Sequence, residues 1–286
     1  MRLNYASPSS LLVAGLLVVG CADDSAPAGS GDESTGTAAA TDTGAGTTEM
    51  ADSGSGVADG GGSSSEGGES STGEPPTEVR FGGTIQDFFA MGPIVDAQIS
   101  VEGMPELTTT SDADGIWEFE ALPVNTTDRF IVADTKNYWG GVLQFETGLE
   151  GIDDFELSQV SLDVIDLQVN ALQAQDKTVM LDEERAVLLV AIQQNTATGA
   201  TVTLDPPPEP NTYYAPNADG QPILNTSDIE WSLYPVAVFF NVEPGPEGTY
   251  EITVDHPERE CTVLDSQPPT FARHVNLLFV DCPPPE

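Results

Sequence analysis

From residue 79 onward the sequence predicts an all-β fold built as two tandem antiparallel β-sandwiches. Apolar and polar residues alternate with period two in short runs such as DAQISV, RFIVA and TYEITV. Gly, Pro, Asn and Asp separate these runs at regular intervals, as expected for short strands joined by turns. Two sections of the chain also resemble each other, and each has about 85 to 105 residues, the usual size of one sandwich.

The first sandwich is predicted over residues 79–165. In DAQISV, the residues Ala97, Ile99 and Val101 share one face of a strand, because successive side chains point to opposite faces. In IWEFEAL, Phe119 alternates with glutamates in the same way. Both runs therefore predict strands with one face toward a core.

Residues 166–185 are predicted to connect the two sandwiches. The run LDVIDLQVNALQ (162–173) begins just before this segment and extends into it. In this run, Val164, Leu167 and Leu172 can share one face of a short helix. A strand stays open as the alternative for this run.

The second sandwich is predicted over residues 186–286, because the sequence there echoes the first. DAQISVEG and DADG occur within 96–115, and GATVTLDP and NADG occur within 199–220. In each copy a strand led by a small residue, Ala97 or Ala200, precedes the turn. The second copy is the more divergent, since it carries a Pro-rich insertion.

The DADG (112–115) and NADG (217–220) segments predict hairpin turns. Asp, Asn and Gly favour the backbone angles that tight turns require. Alternating Asp before Gly also opens an EF-hand calcium loop, but the twelfth position of that loop needs a bidentate Glu and is here Pro123. We therefore predict turns without a metal ion.

The runs IVDAQISVEG, TTTSDADGIWEFEALP and FIVADTKNYW resemble the carboxypeptidase regulatory-like domain, a transthyretin-like (prealbumin-like) seven-stranded sandwich. The resemblance covers roughly residues 79–160 and departs from the family at Asn125 and Thr126, where a glycine is usual. It implies a non-catalytic accessory or adhesion-like module, often on bacterial surface proteins, with carbohydrate-binding folds among its relatives. The residues that match the hairpin of the family are Thr110, Asp112, Asp114, Gly115, Trp117 and Phe119.

The charge of the chain excludes one class of function. Asp and Glu number 47 against 8 Lys and Arg, for a formal net charge of −39, and the basic residues are scattered singly. Binding to nucleic acid needs clustered Lys and Arg that neutralise phosphates, so no nucleic-acid partner is predicted. No cofactor is predicted either.

The amino terminus, residues 1–20, has the three parts of an export signal. Arg2 gives the positive region, LLVAGLLVV (11–19) the apolar region, and Gly20 a small residue before Cys21. A transmembrane helix is the alternative, but it needs ~20 apolar residues and this run is about half as long.

The residues Val18-Val19-Gly20-Cys21 resemble the lipobox of bacterial lipoproteins. The resemblance implies cleavage before Cys21 and attachment of a diacylglyceryl group to its thiol. Cys21 is therefore the predicted lipidation site, and the membrane is the predicted partner of the amino terminus. We expect a cell membrane or outer membrane location that faces the periplasm or the cell exterior.

Residues 21–78 are predicted to be a disordered linker. They are rich in Gly, Ser, Thr, Ala, Asp and Glu and show neither helical nor strand periodicity. Such a segment buries too little apolar surface to offset the entropy of ordering.

Few residues are candidates for chemistry, and no catalytic or metal site is predicted. His256 and His274 are the only histidines and lack the partners of a zinc site. Cys261 and Cys282 predict a disulfide in an exported protein, with two free thiols as the alternative.

Tyr213 and Tyr214, adjacent in the Pro-rich insertion, are the predicted binding surface. The sequence thus predicts a lipid-anchored protein with a binding or structural role toward a glycan or a surface protein. A carbohydrate-binding module that uses exposed aromatic residues is the alternative, and an enzyme or enzyme accessory subunit is a third hypothesis.

Overall fold

The computed structural model describes residues 75–193, 196–232 and 234–284. The predicted export signal, Cys21 and all but the last residues of the predicted linker lie outside these ranges. The described residues form β1 (Glu78–Asp87), β2 (Gln98–Val101), β3 (Met104–Thr110), β4 (Ile116–Pro123), β5 (Thr127–Val132), β6 (Gly140–Glu146), β7 (Ile152–Gln159), α1 (Leu162–Gln175), β8 (Ala186–Ile192), β9 (Thr201–Asp205), β10 (Tyr213–Pro216), β11 (Pro222–Leu224), β12 (Val236–Val242), β13 (Glu251–Asp255), β14 (Thr262–Val263) and β15 (His274–Asp281).

This composition confirms the all-β prediction. The single helix among the described elements is α1, which settles the open choice between helix and strand in favour of a helix. The strands form three sheets. Ten strands make the long sheet, in the order β11-β10-β12-β8-β15-β6-β5-β2-β3 with β14 beside β15. The other two sheets are β4-β1-β7 and β13-β9.

The pairing differs from the antiparallel prediction at the centre of the long sheet. There β15 runs parallel to β8 and to β6, while the short strand β14 pairs antiparallel with its end. In the sheet β4-β1-β7, β1 runs parallel to β7. Because β15 belongs to the second half of the chain and β6 to the first, one sheet runs through both halves. The predicted connector, 166–185, contains most of α1.

Burial on both faces explains why alternation did not predict the central strands. The strand β8 reads AVLLVAI and β15 reads HVNLLFVD, and both are apolar at consecutive positions. Parallel strands covered on both faces show such continuous apolar runs. Val187 and Leu189 belong to one core and Leu188 and Val190 to the other.

The two hydrophobic cores lie on opposite faces of the long sheet, and different elements pack over each of them. The first lies between the long sheet, the sheet β4-β1-β7 and α1, and it contains a cluster of aromatic rings. In that cluster the Phe130 and Phe145 rings stack with centroids 3.8 Å apart, and Trp117 contacts the edge of Phe130 at 5.1 Å. The second core lies on the opposite face of the long sheet, under β9 and β13.

Cys261 and Cys282 form the predicted disulfide, with Cα atoms 4.2 Å apart. The pairing of Thr262 with Asp281 explains why the two thiols meet, because the cysteines occupy the next opposite positions along β14 and β15. The bond joins the short strand β14 to the end of the central strand.

Candidate binding surfaces

The two predicted turns share the same hydrogen bonds. The Oδ1 atom of Asp112 accepts the backbone N–H groups of Asp114 and Ile116, at 2.9 and 2.8 Å. The Oδ1 atom of Asn217 accepts those of Asp219 and Gln221, at 3.0 and 2.9 Å. The side chain that leads each turn is thus occupied by the backbone, as in an Asx turn.

Tyr213 and Tyr214 lie on β10 and point to opposite faces of the long sheet. Tyr213 stacks on Phe239, with centroids 6.0 Å apart, and packs against the second core. Tyr214 packs against the first core, tilted against Phe240 at 6.4 Å. The pair therefore does not present both rings to a ligand on one side, because neighbouring side chains of a strand alternate between faces.

The tryptophans differ sharply in exposure. Trp117 and Trp139 are buried in the first core, whereas 58% of Trp231 is exposed in the loop that leads to β12. Ile223, on the neighbouring strand β11, is 38% exposed. Trp231 is therefore the tryptophan that is free to contact a ligand.

An apolar cavity of about 60 Å³ lies between α1 and the long sheet. Tyr214 and Gln168 are the polar side chains of its lining. Burial raises the pKa of Tyr214 above its ordinary value. The apolar lining residues are Phe89, Val160, Val164, Ile165, Val169, Leu172, Leu181, Val187, Leu189, Val238, Phe240 and Val275.

Arg129 is a buried arginine that is paired with three carboxylates. Its Nε and Nη2 atoms donate to the two carboxylate oxygens of Asp265, at 2.6 and 2.9 Å, and both side chains are about nine-tenths buried. Glu102 and Glu247 lie 3.0 and 3.3 Å from its Nη1 atom. The hydrogen bond to Asp265 raises the pKa of Arg129 further above its ordinary value. One cation therefore ties β5 to the β2–β3 turn and to two loops of the second half.

The remaining arginine ion pairs also leave the surface acidic. Arg80 donates to Glu118 at 2.5 Å, Arg273 to Glu183 at 2.6 Å, and Arg185 pairs with Glu243. Since these guanidinium groups are already neutralised by carboxylates, the excess of Asp and Glu dominates the field outside the body.

In the described part of the chain, neither histidine lies in a group of side chains that could bind a metal ion. His256 contacts the Thr198 carbonyl through Nε2 and the Glu258 N–H through Nδ1. His274 contacts the Ala272 carbonyl through Nδ1 at 2.9 Å. Across residues 75–193, 196–232 and 234–284, no group of three His, Cys, Asp or Glu side chains is placed to hold a metal ion.

The two edges of the long sheet are a feature that sequence patterns did not predict. At one edge the Gln175 side chain donates to the Pro222 carbonyl at 2.6 Å and accepts the Leu224 N–H at 3.0 Å. It thereby pairs with β11 as another strand would. At the other edge β3 ends the sheet, with exposed Glu106, Thr108 and Thr110. The LTTT run, rich in β-branched residues, is typical of a strand but does not show that the strand lies at an edge.

Comparison with known proteins places few limits on function. No family model and no curated protein matches the chain. A solved structure described as the Bacillus anthracis TIE protein is similar at 13% identity and a TM-score of 0.25. That match covers 72% of this chain and 34% of the other chain, so this chain spans about a third of that structure. In the described part of the chain no helix is long and apolar enough to cross a membrane.

Proposed function

We propose that this is a lipid-anchored cell-envelope protein whose β-sandwich body has a non-catalytic binding or structural role. The observation that carries the anchor is the run LLVAGLLVVGC, in which an export signal ends at Cys21. Two or three acyl chains on that cysteine would hold the protein stably, since each buried methylene contributes about 0.8 kcal/mol.

The binding role is supported by the resemblance of residues 79–160 to the carboxypeptidase regulatory-like domain and by the acidic body. The arginines that form ion pairs are matched by carboxylates of the same chain, which leaves the surplus carboxylates free to face a partner. Such a surface steers cationic partners and repels anionic lipid and nucleic acid.

The anchor is tested by labelling cells with radioactive palmitate. Wild-type protein should take up the label and fractionate with membranes, whereas Cys21→Ser should take up no label and keep its signal uncleaved. As a control, the signal is replaced by that of a secreted protein that carries no lipid, which should release soluble protein with unchanged thermal unfolding. Wild-type protein that takes up no palmitate would remove the anchor from this proposal.

Carbohydrate binding is the second candidate, and the exposure of Trp231 favours it. Flat aromatic rings at a surface supply apolar contact area at low entropic cost. On a glycan array, Trp231→Ala should lose any glycan signal of the wild type, whereas Ile223→Ala, the matched change at a neighbouring exposed residue, should keep it. A signal that survives Trp231→Ala would reject this site.

A further inference from the structure

The edge strand β3 offers backbone hydrogen bonds that no described strand uses. Successive residues of an antiparallel strand direct their N–H and C=O groups alternately to the two neighbouring strands. The Gln98 carbonyl accepts the Ala133 N–H, so Gln98 is directed away from β3. Its partner Thr110, and Thr108 opposite Ser100, are then directed away from β2 and out of the sheet.

The side chains of β3 keep this edge in place. Met104 and Leu107 are half-buried and pack against the first core, whereas Glu106, Thr108 and Thr110 are exposed. Pro105 cannot donate a hydrogen bond, so the usable stretch begins after it. Residues 106–110 thus form a short edge, and pairing with β2 fixes the opposite side of Thr108, Thr109 and Thr110.

The charged residues that flank this edge in the sequence are acidic. Between Arg80 and Arg129 the chain contains no basic residue, and Arg129 is buried among carboxylates. Glu106 lies on the strand itself, Glu102 lies in the preceding turn, and the 112–115 turn that follows adds two aspartates. A segment that pairs with β3 therefore meets carboxylates at both ends.

We propose that β3 is a docking edge for an extended, positively charged segment of a partner protein, which joins the long sheet as one further strand. Strand addition of this kind takes affinity from main-chain hydrogen bonds and specificity from side chains. A second copy of this chain is not the occupant, because it would bring a formal charge of −39 to an edge that is already acidic.

The docking edge deepens the binding role proposed above and is independent of the lipid anchor. The opposite edge of the long sheet, β11, supports the docking proposal by contrast. Gln175 covers the free groups of Pro222 and Leu224 on β11, which is how proteins protect an edge from unwanted pairing. In the described part of the chain no side chain from another element is hydrogen-bonded to the outer edge of β3, although Pro105, whose carbonyl accepts the Thr108 hydroxyl, and Glu106 limit pairing at its start.

The experiment uses the full chain and three synthetic peptides of about eight residues, a usual strand length. One alternates lysine and valine, the second replaces lysine with glutamate, and the third replaces valine with proline. We expect only the lysine–valine peptide to bind, more weakly at about 0.5 M than at about 0.05 M salt. The proline peptide has the same charge but lacks the N–H groups of alternate residues, so equal binding would reduce the effect to charge alone and overturn strand addition.

Hydrogen exchange locates the site without a mutation. The amides of Thr108 and Thr110 should exchange more slowly with the lysine–valine peptide, and those of β11 should not change.

Charge-reversal variants test the same site by binding affinity. Glu106→Lys should weaken binding of the lysine–valine peptide about fivefold, and Glu251→Lys, the same change on the exposed face of β13, should not. Protection that arises elsewhere, or none, would overturn the docking edge. Cys21→Ser should leave peptide binding intact, which separates this test from that of the anchor.

Discussion

The two ends of the long sheet have nearly the same local structure and different surroundings. Each end has an edge strand, β3 or β11, next to a turn with the same four-residue hydrogen-bond pattern. At the β11 end a glutamine covers the edge, and in the turn no atom lies within 4 Å of a Cβ added at Gly220. At the β3 end no described strand pairs with the outer edge, but the 112–115 turn packs tightly against β1. The arginine cluster, which consists of Arg129 with Glu102, Glu247 and Asp265, ties the turn before β3 to the second half of the chain. Local sequence therefore sets the shape of each turn, and tertiary contacts set how much that turn contributes to stability.

The arginine cluster should show the largest effect. Arg129→Ala removes the cation and leaves Asp265 buried and unpaired, which should lower the free energy of unfolding by about 3–5 kcal/mol. Urea unfolding followed by circular dichroism measures the change. Arg80→Ala breaks the exposed pair with Glu118 and should have a much smaller effect. Equal losses in the two variants would show that the buried cluster does not hold the β3 end.

The turns come next. Gly115 has φ +75°, and an added Cβ would lie 2.6 Å from the Ile85 carbonyl oxygen, whereas Gly220 has φ +77° and no atom within 4 Å of such a Cβ. Gly220→Val should cost about 1–2 kcal/mol for the left-handed backbone alone. Gly115→Val should cost about 1–3 kcal/mol more because the neighbouring strand must also move.

Thermal unfolding of the two valine variants side by side checks this difference. Equal shifts in Tm would mean that the backbone angle alone determines the cost, and the packing of the 112–115 turn against β1 would then have no energetic weight.

The smallest effect concerns the covered edge. Gln175→Ala leaves the Leu224 N–H and the Pro222 carbonyl to water and should cost about 1 kcal/mol. Amide exchange at Leu224 should become faster. Gln173→Ala, on the same helix, removes a bond to the Val179 carbonyl instead and should leave Leu224 unchanged. If both variants leave Leu224 protected, the edge is not covered by Gln175.

The sequence predicted features that depend on residues close together in the chain better than features that depend on distant residues. Turns at 112–115 and 217–220 were predicted correctly, because their hydrogen bonds join residues two to four positions apart. The hairpin prediction is correct only for 217–220, which joins the paired strands β10 and β11; it is wrong for 112–115, which joins β3 to β4 in another sheet. The disulfide was also predicted, since two cysteines in a chain that is predicted to be exported have few alternatives. The strand at Tyr213 and Tyr214 was harder to place, because surrounding prolines resemble an exposed loop and only the pairing with β12 shows a strand there.

Long-range contacts left no pattern in the sequence. Arg129 and Asp265 are 136 residues apart, and neither has neighbours that predict the pair. The parallel pairing of β15 with β6 and β8 depends on which apolar runs meet, and several runs in the chain are equally apolar. The same holds for the two edges, because a strand lies at an edge only in relation to the whole sheet.

The position of β15 also has a consequence for how the protein is made. Of the described strands it is the last to be synthesised, yet it lies between β8 and β6 at the middle of the long sheet. Until residues 274–281 have left the ribosome, β6 and β8 each have an open apolar edge, and the two halves of the sheet have no strand to join them. Folding can then be completed only after this last strand has been made, so the unfinished chain depends on protection from aggregation until that point.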